Sequence, residues 1–269
     1  MTYWQDRETE ALNRLSNKHI REAEKQLKKY YTDLMKRTIA DFQAIYNKIL
    51  MAQEDGKEPT PADLYKLDTY WQHQAQLRKE LNELGEKEIA LLSKEFELNF
   101  FDVYYGVASV GESAFSTLDK SLVRQMINTI WVADGKSWSD RVWKNTELLA
   151  QTLNDSLVHI VASGKKTSDL KKQLFTMLND EVRANFEEAY NRVDSLVRTE
   201  VAHIQTQAAQ KRYQDAGVRE VQVWASEDER RCEQCGKLHK KKYFIGEAVP
   251  IPAHPNCRCN IVPVIESVI

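Results

Sequence analysis

The sequence predicts a mainly α fold, with long antiparallel helices followed by a small β-rich C-terminal unit. Three observations carry this. No proline falls between Pro61 and Pro250. Proline removes a hydrogen-bond donor and clashes with the preceding turn, so its absence suits long helices. Apolar residues recur at steps of three and four over most of the chain, then alternate in twos after Gly217. All four cysteines lie between Cys232 and Cys259.

The first helix is expected from near Asp6 to Met51, on the stripe Leu12, Leu15, Leu27, Leu34, Phe42, Ile45 and Ile49. At 1.5 Å per residue such a helix is about 65 Å long, which suits an extended helix or a hairpin arm. Asp55-Gly56-Lys57-Glu58-Pro59 reads as a linker. Thr60 as N-cap, Pro61 at the first helical position and Asp63 in the first turn then start a second helix. Its stripe is Leu64, Leu67, Trp71, Leu81, Leu84, Ile89, Leu92 and Phe96. Packing the two stripes together predicts an antiparallel pair. The apolar stretch from Phe100 to Gly111 reads as a buried junction.

Shorter stripes follow at Leu118, Leu122, Met126 and Ile130, and at Val142, Leu149, Leu153, Leu157 and Val161, with Gly164 as C-cap. Thr167 or Ser168 caps a short helix, and a last long helix covers about Glu181 to Ala216, stopping at Gly217. Val221, Val223 and Ala225 then alternate with their neighbours as a strand does. Tyr243–Gly246 and Asn260–Val264 are further strand candidates. The division expected is an extended helical hairpin or arm over 1–111, a helical body over 112–217, and a small β module over 218–269.

A β unit of that size buries little apolar area and often needs a metal or disulfides. Between about Asp228 and Pro263 the sequence offers Cys232-x-x-Cys235-Gly236 and, further on, His254-Pro255-Asn256-Cys257-Arg258-Cys259. Two residues between ligands let one tight turn place both on a tetrahedral ion, and two such turns complete it, so zinc is the expected cofactor. Cys232, Cys235, His254 and Cys257 form one ligand set; Cys259 in place of His254 forms another. His239 is a weaker candidate. Two disulfides are the non-metal reading, disfavoured for a chain that folds in a cytoplasm. A closed sphere of soft ligands leaves no place for a reacting water, so the expected metal is structural and no enzyme activity is predicted.

Composition narrows the classes further. Charged residues make up 29% and hydrophobic residues 42%, with 38 basic against 40 acidic residues and a net charge of −2. Bulk charge therefore does not favour a polyanion, and DNA contact would need a local patch such as Lys240-Lys241-Lys242. No apolar run is long enough to span a bilayer. The N-terminus lacks the apolar core of a signal peptide.

Arg198-Thr199-Glu200 in a helix, Gly217, a strand ending in Trp224-Ala225-Ser226, the Cys-x-x-Cys turn and the HPNCRC ending occur in this order. Over about Gly164 to Pro263 this string resembles the C-terminal domain of tailed-bacteriophage head morphogenesis, or minor capsid, proteins, the Mu F-like minor head proteins among them. The resemblance implies a virion component at the capsid interior or portal vertex, made in the host cytoplasm. It implies a portal protein, scaffold and major capsid protein as partners, with DNA a further candidate, and a role in head assembly, DNA packaging or ejection. Arg198 and Glu200 match the family's helix motif, as a structural pair or as partner contacts. Two other readings compete: a zinc-stabilised nuclease using His239 or His203, and a zinc-ribbon DNA-binding adaptor.

Overall fold

The computed structural model describes residues 2–52, 60–106, 117–163, 168–225 and 231–264. In chain order the elements are α1 (Thr2–Ala52), α2 (Pro61–Tyr65), α3 (Asp68–Gly106), α4 (Lys120–Ile127), α5 (Trp138–Ala162), α6 (Ser168–Asp215), β1 (Glu220–Trp224), α7 (Glu233–Leu238), β2 (Lys242–Phe244) and β3 (Asn260–Pro263). The fold is mainly helical, with a small antiparallel sheet near the C-terminus. Residues 107–111, Gly164 and Thr167 lie outside the described residues.

Two helices differ from expectation, each for a local reason. The start at Thr60 forms as predicted: its backbone N–H and hydroxyl both donate to the Asp63 carboxylate, at 3.0 and 2.7 Å. The helix nonetheless stops at Tyr65 and restarts at Asp68. The Trp71 indole N–H donates to the Tyr65 carbonyl at 3.0 Å, occupying the acceptor that a continuous helix would offer to the residue four positions on. The two helices expected beyond residue 168 are one. No glycine or proline interrupts Ser168–Asp215, and Leu174, Leu178, Val182, Phe186, Ala189, Val193 and Val197 stay buried at helical steps throughout. The helix ends as predicted. Gly217 takes φ +73°, and its N–H and that of Val218 donate back to Gln214 and Tyr213, a glycine-terminated C-cap.

The chain divides into two compact units. One comprises Lys25–Ile89 and Ser139–Val193, and its elements among the described residues are helices. Its core is apolar, with Leu27, Leu34, Phe42, Leu81, Leu149, Leu153, Leu178 and Phe186 buried. Arg37 pairs with Glu80 and Asp41 with His73; the reversed order of contacts makes α1 and α3 antiparallel here. A polar layer crosses this core. Asn145 Nδ2 donates to the Tyr31 hydroxyl (2.8 Å) and to the Ala189 carbonyl (2.9 Å), and Arg192 Nε donates to Asn145 Oδ1 at 2.7 Å. Glu88 is fully buried, and burial pushes its carboxyl up to about 8.

The other unit comprises Met1–Glu24, Ala90–Trp138 and Asp194–Ile269. Its sheet has the order β2-β1-β3, with both pairings antiparallel. Val221 faces Tyr243 and Pro263 across the ladders, and Val223 faces Ile261. Polar contacts tie the start of α1 into this unit. Trp224 Nε1 donates to Asp6 (3.0 Å), the Tyr213 hydroxyl to Glu8 (3.1 Å), and Asn260 Nδ2 to Asn13 (3.0 Å). Buried His19 sits between Glu95 and Asp102, with each ring nitrogen 2.9 Å from a carboxylate.

Candidate metal centre

The first limb of the centre is α7. Cys232 is its N-cap: the sulfur accepts the Cys235 N–H at 3.3 Å, and the Cys232 carbonyl accepts the Gly236 N–H at 2.9 Å. This one turn sets both sulfurs on the same side. The second limb leads into β3. The Cys257 N–H donates to the His254 carbonyl at 3.2 Å, and Asn256 between them takes φ +59°. Asparagine is among the few side chains that tolerate this left-handed conformation.

The limbs bring all five expected ligands together. His254 Nε2 lies 3.3 Å from the Cys232 sulfur and 3.1 Å from that of Cys235. Its Nδ1 is 2.8 Å from the Pro255 carbonyl. That bond assigns the proton to Nδ1 and leaves Nε2 as the donor atom for a metal. The sulfurs of Cys235 and Cys257 are 3.8 Å apart, and all four cysteines are free thiols. Two ligand groups result, Cys232–Cys235–His254 and Cys235–Cys257–Cys259, with Cys235 common to both.

Three of the pair spacings fit a tetrahedral ion, while neither expected set of four donors lies within a single group. Bonds of 2.3 Å at tetrahedral angles place two sulfurs about 3.8 Å apart, and a sulfur and an imidazole nitrogen about 3.6 Å apart. The Cys235–Cys257 spacing equals the first value, and the sulfur–His254 spacings fall slightly inside the second. The crowded thiols and the imidazole perturb one another. Hydrogen bonding from Cys259 holds the Cys257 thiol down at about 5, and the same contact pushes Cys259 well up. Burial raises Cys235 to about 12. The Cys235 backbone N–H lowers Cys232, and the Pro255 carbonyl raises His254. Thiols that share protons this closely are donors a divalent ion would convert to thiolates, releasing the protons.

The other candidates lie elsewhere. Arg198 pairs with Asp194 at 3.0 Å and with Glu24. Glu200 is 3% exposed and accepts from the Trp131 indole N–H at 3.0 Å. His203 is buried, stacked on Trp131 with ring centroids 4.4 Å apart, and lowered to about 4 by burial. His239 accepts the Ala225 N–H at 3.2 Å and lies against the Trp224 ring. In the lysine run, Lys240 stands over the Trp224 ring and Lys242 pairs with Glu220. Among the described residues, the two Cys/His groups are the clusters able to hold a metal, and no helix is long and apolar enough to cross a membrane.

Sequence reasoning missed the residues that anchor the second limb. Thr199, central in the Arg198-Thr199-Glu200 string, accepts the Asn256 N–H at 3.0 Å, and Ser195 accepts from Asn256 Nδ2 at 3.1 Å. Gln205 donates to Asn260. The string thus faces three ways: Arg198 toward α1, Thr199 toward the HPNC turn, Glu200 toward Trp131. Its signal was the hydroxyl between two charged residues, each with its own partner.

No curated protein and no solved structure matches this chain. Over residues 151–262 it matches the model of the family described as Phage Mu protein F like protein, the family that its motif string resembles.

Proposed function

We propose that this chain is a phage minor head protein associated with the portal vertex, acting in head assembly and in DNA packaging or ejection, with one structural zinc ion in its C-terminal unit. The observation that supports this reading best is a coincidence of position. The family match over 151–262 contains both the Arg198-Thr199-Glu200 string and all five Cys/His donors. The family match supports a phage head component, and the portal vertex is the finer step.

Cys232, Cys235 and Cys257 would hold the zinc, with His254 or Cys259 in the fourth place. The ion would cross-link α7 to the turn before β3, supplying cohesion to a sheet of very short strands. No reacting water is required, so the chain acts as a structural protein of the virion. Its partners are the portal protein and other head proteins, with DNA a candidate.

Co-expression with the cognate portal protein, followed by a pull-down and metal analysis of the reduced complex, tests this. Co-purification with the portal at about one zinc per chain is the expected result. Chain without portal would overturn the vertex assignment; chain without stoichiometric metal would overturn the zinc assignment.

A further inference from the structure

We propose that Ser195 and Thr199 of α6 are positioning residues for the metal centre, forming a latch that shapes the His254–Cys257 turn and sets how tightly the ion is held. The proposal rests on the zinc reading above.

Asn256 lies between two expected ligands, two residues after His254 and one before Cys257. Its left-handed backbone, φ +59°, aims those ligands at the first limb. Two bonds hold it there. Its N–H donates to Thr199 Oγ1 at 3.0 Å, and its Nδ2 donates to Ser195 Oγ at 3.1 Å. The Thr199 hydroxyl in turn donates to the Ser195 carbonyl at 2.6 Å. That bond spends the hydroxyl proton inside the helix and leaves a lone pair for Asn256. Both acceptors stand on one face of a continuous helix, four residues apart. The Asn256 N–H therefore meets a preformed acceptor whether or not the ion is present.

An ion that binds a turn already in shape does not meet the full cost of ordering it. Groups hydrogen-bonded to metal ligands orient them, and losing them typically weakens metal binding by about 10- to 100-fold; Ser195 and Thr199 act one step further out, through Asn256, so the lower end of that range is expected. Thr199 is thus assigned a role in metal affinity, although it offers the ion no atom.

The test uses the full-length reduced chain. Zinc affinity is read by competition with a chromophoric chelator, and helical content of the zinc-free chain by circular dichroism. The Ser195→Ala/Thr199→Val double variant should bind zinc about 10-fold more weakly with unchanged helical signal. Thr199→Ser, which keeps the hydroxyl, should retain wild-type affinity. Asn256→Gly, which keeps the backbone free to turn but loses the bond to Ser195, should weaken binding by less than the double variant, and it serves if the double variant fails to fold. Wild-type affinity in both the double variant and Asn256→Gly would overturn the latch while leaving the zinc reading intact. A wild-type chain that binds no zinc would overturn both.

Discussion

In the helical unit, long stripes such as Leu174 to Val193 on α6 bury one side chain per turn without interruption. In the unit that carries the cysteines, β2 has three residues and β3 four, and the start of α1 is tied in by Asp6, Glu8 and Asn13. The first region is cohesive through apolar area, which is forgiving about which atoms touch. The second also buries apolar side chains, Phe96, Phe100, Val221 and Ile261 among them, and adds named pairs and a cluster of five candidate ligands. Cohesion by area tolerates conservative exchange at any one position; cohesion by pairs fails where a pair is cut.

The largest break expected is at Cys235, common to both ligand groups. Cys235→Ser should abolish stoichiometric zinc and remove binding energy on the order of 10 kcal/mol from the C-terminal unit. Hydrogen exchange should show lost amide protection in β1 and β3 while α5 stays protected. Protection unchanged in β1 would mean that the sheet does not need the ion.

Next is the apolar core of the helical unit. Phe186 is 2% exposed and meets Tyr31 edge to face at 6.4 Å. Phe186→Ala should cost about 3–5 kcal/mol in a urea titration without affecting metal content.

Glu88 sharpens the comparison from the other side, since it is a fully buried carboxyl in the helical unit. Its folded carboxyl is raised to about 8 against an ordinary value of 4.5. The folded form therefore binds its proton more tightly than the unfolded form. The cost is absent below about pH 4.5, grows as pH rises, and is complete above about 8. At pH 7 it amounts to about 3 kcal/mol. Glu88→Gln should be more stable than wild type by about that amount at pH 7, with the difference vanishing near pH 4.5. Equal stability across that range in paired denaturation curves would show that the carboxyl has found a partner.

The smallest effect is expected at Arg198, whose side chain is 42% exposed in its pairing with Asp194 and Glu24. Arg198→Gln should cost less than about 1 kcal/mol and leave zinc affinity unchanged, in contrast to its neighbour Thr199.

The helices and strands were largely legible because periodicity depends on one face at a time. Leu12 to Ile49 marked α1, and Val221 and Val223 marked β1. The join within α6 was hidden by Asn179-Asp180-Glu181, a polar run that looks like a break. Those residues sit between Leu178 and Val182, which are four apart on the buried face. The break at Tyr65 was illegible because it turns on an indole six residues away. That these five Cys/His side chains cluster was legible from their spacing. Their anchors were not, since Ser195 and Asn256 are 61 positions apart and neither is a distinctive residue type.

The continuity of α6 has a consequence for how its length can vary. Thr199 meets Asn256, and Gln205 meets Asn260. One rigid rod therefore addresses two points on the segment that runs from the His254–Cys257 turn into β3. A residue inserted between Thr199 and Gln205 would shift one address by about 1.5 Å and rotate it by about 100°. The two contacts would fall out of phase and could not be made together. That stretch of α6 works as a gauge, fixed in residue count even where its outward side chains are free to change.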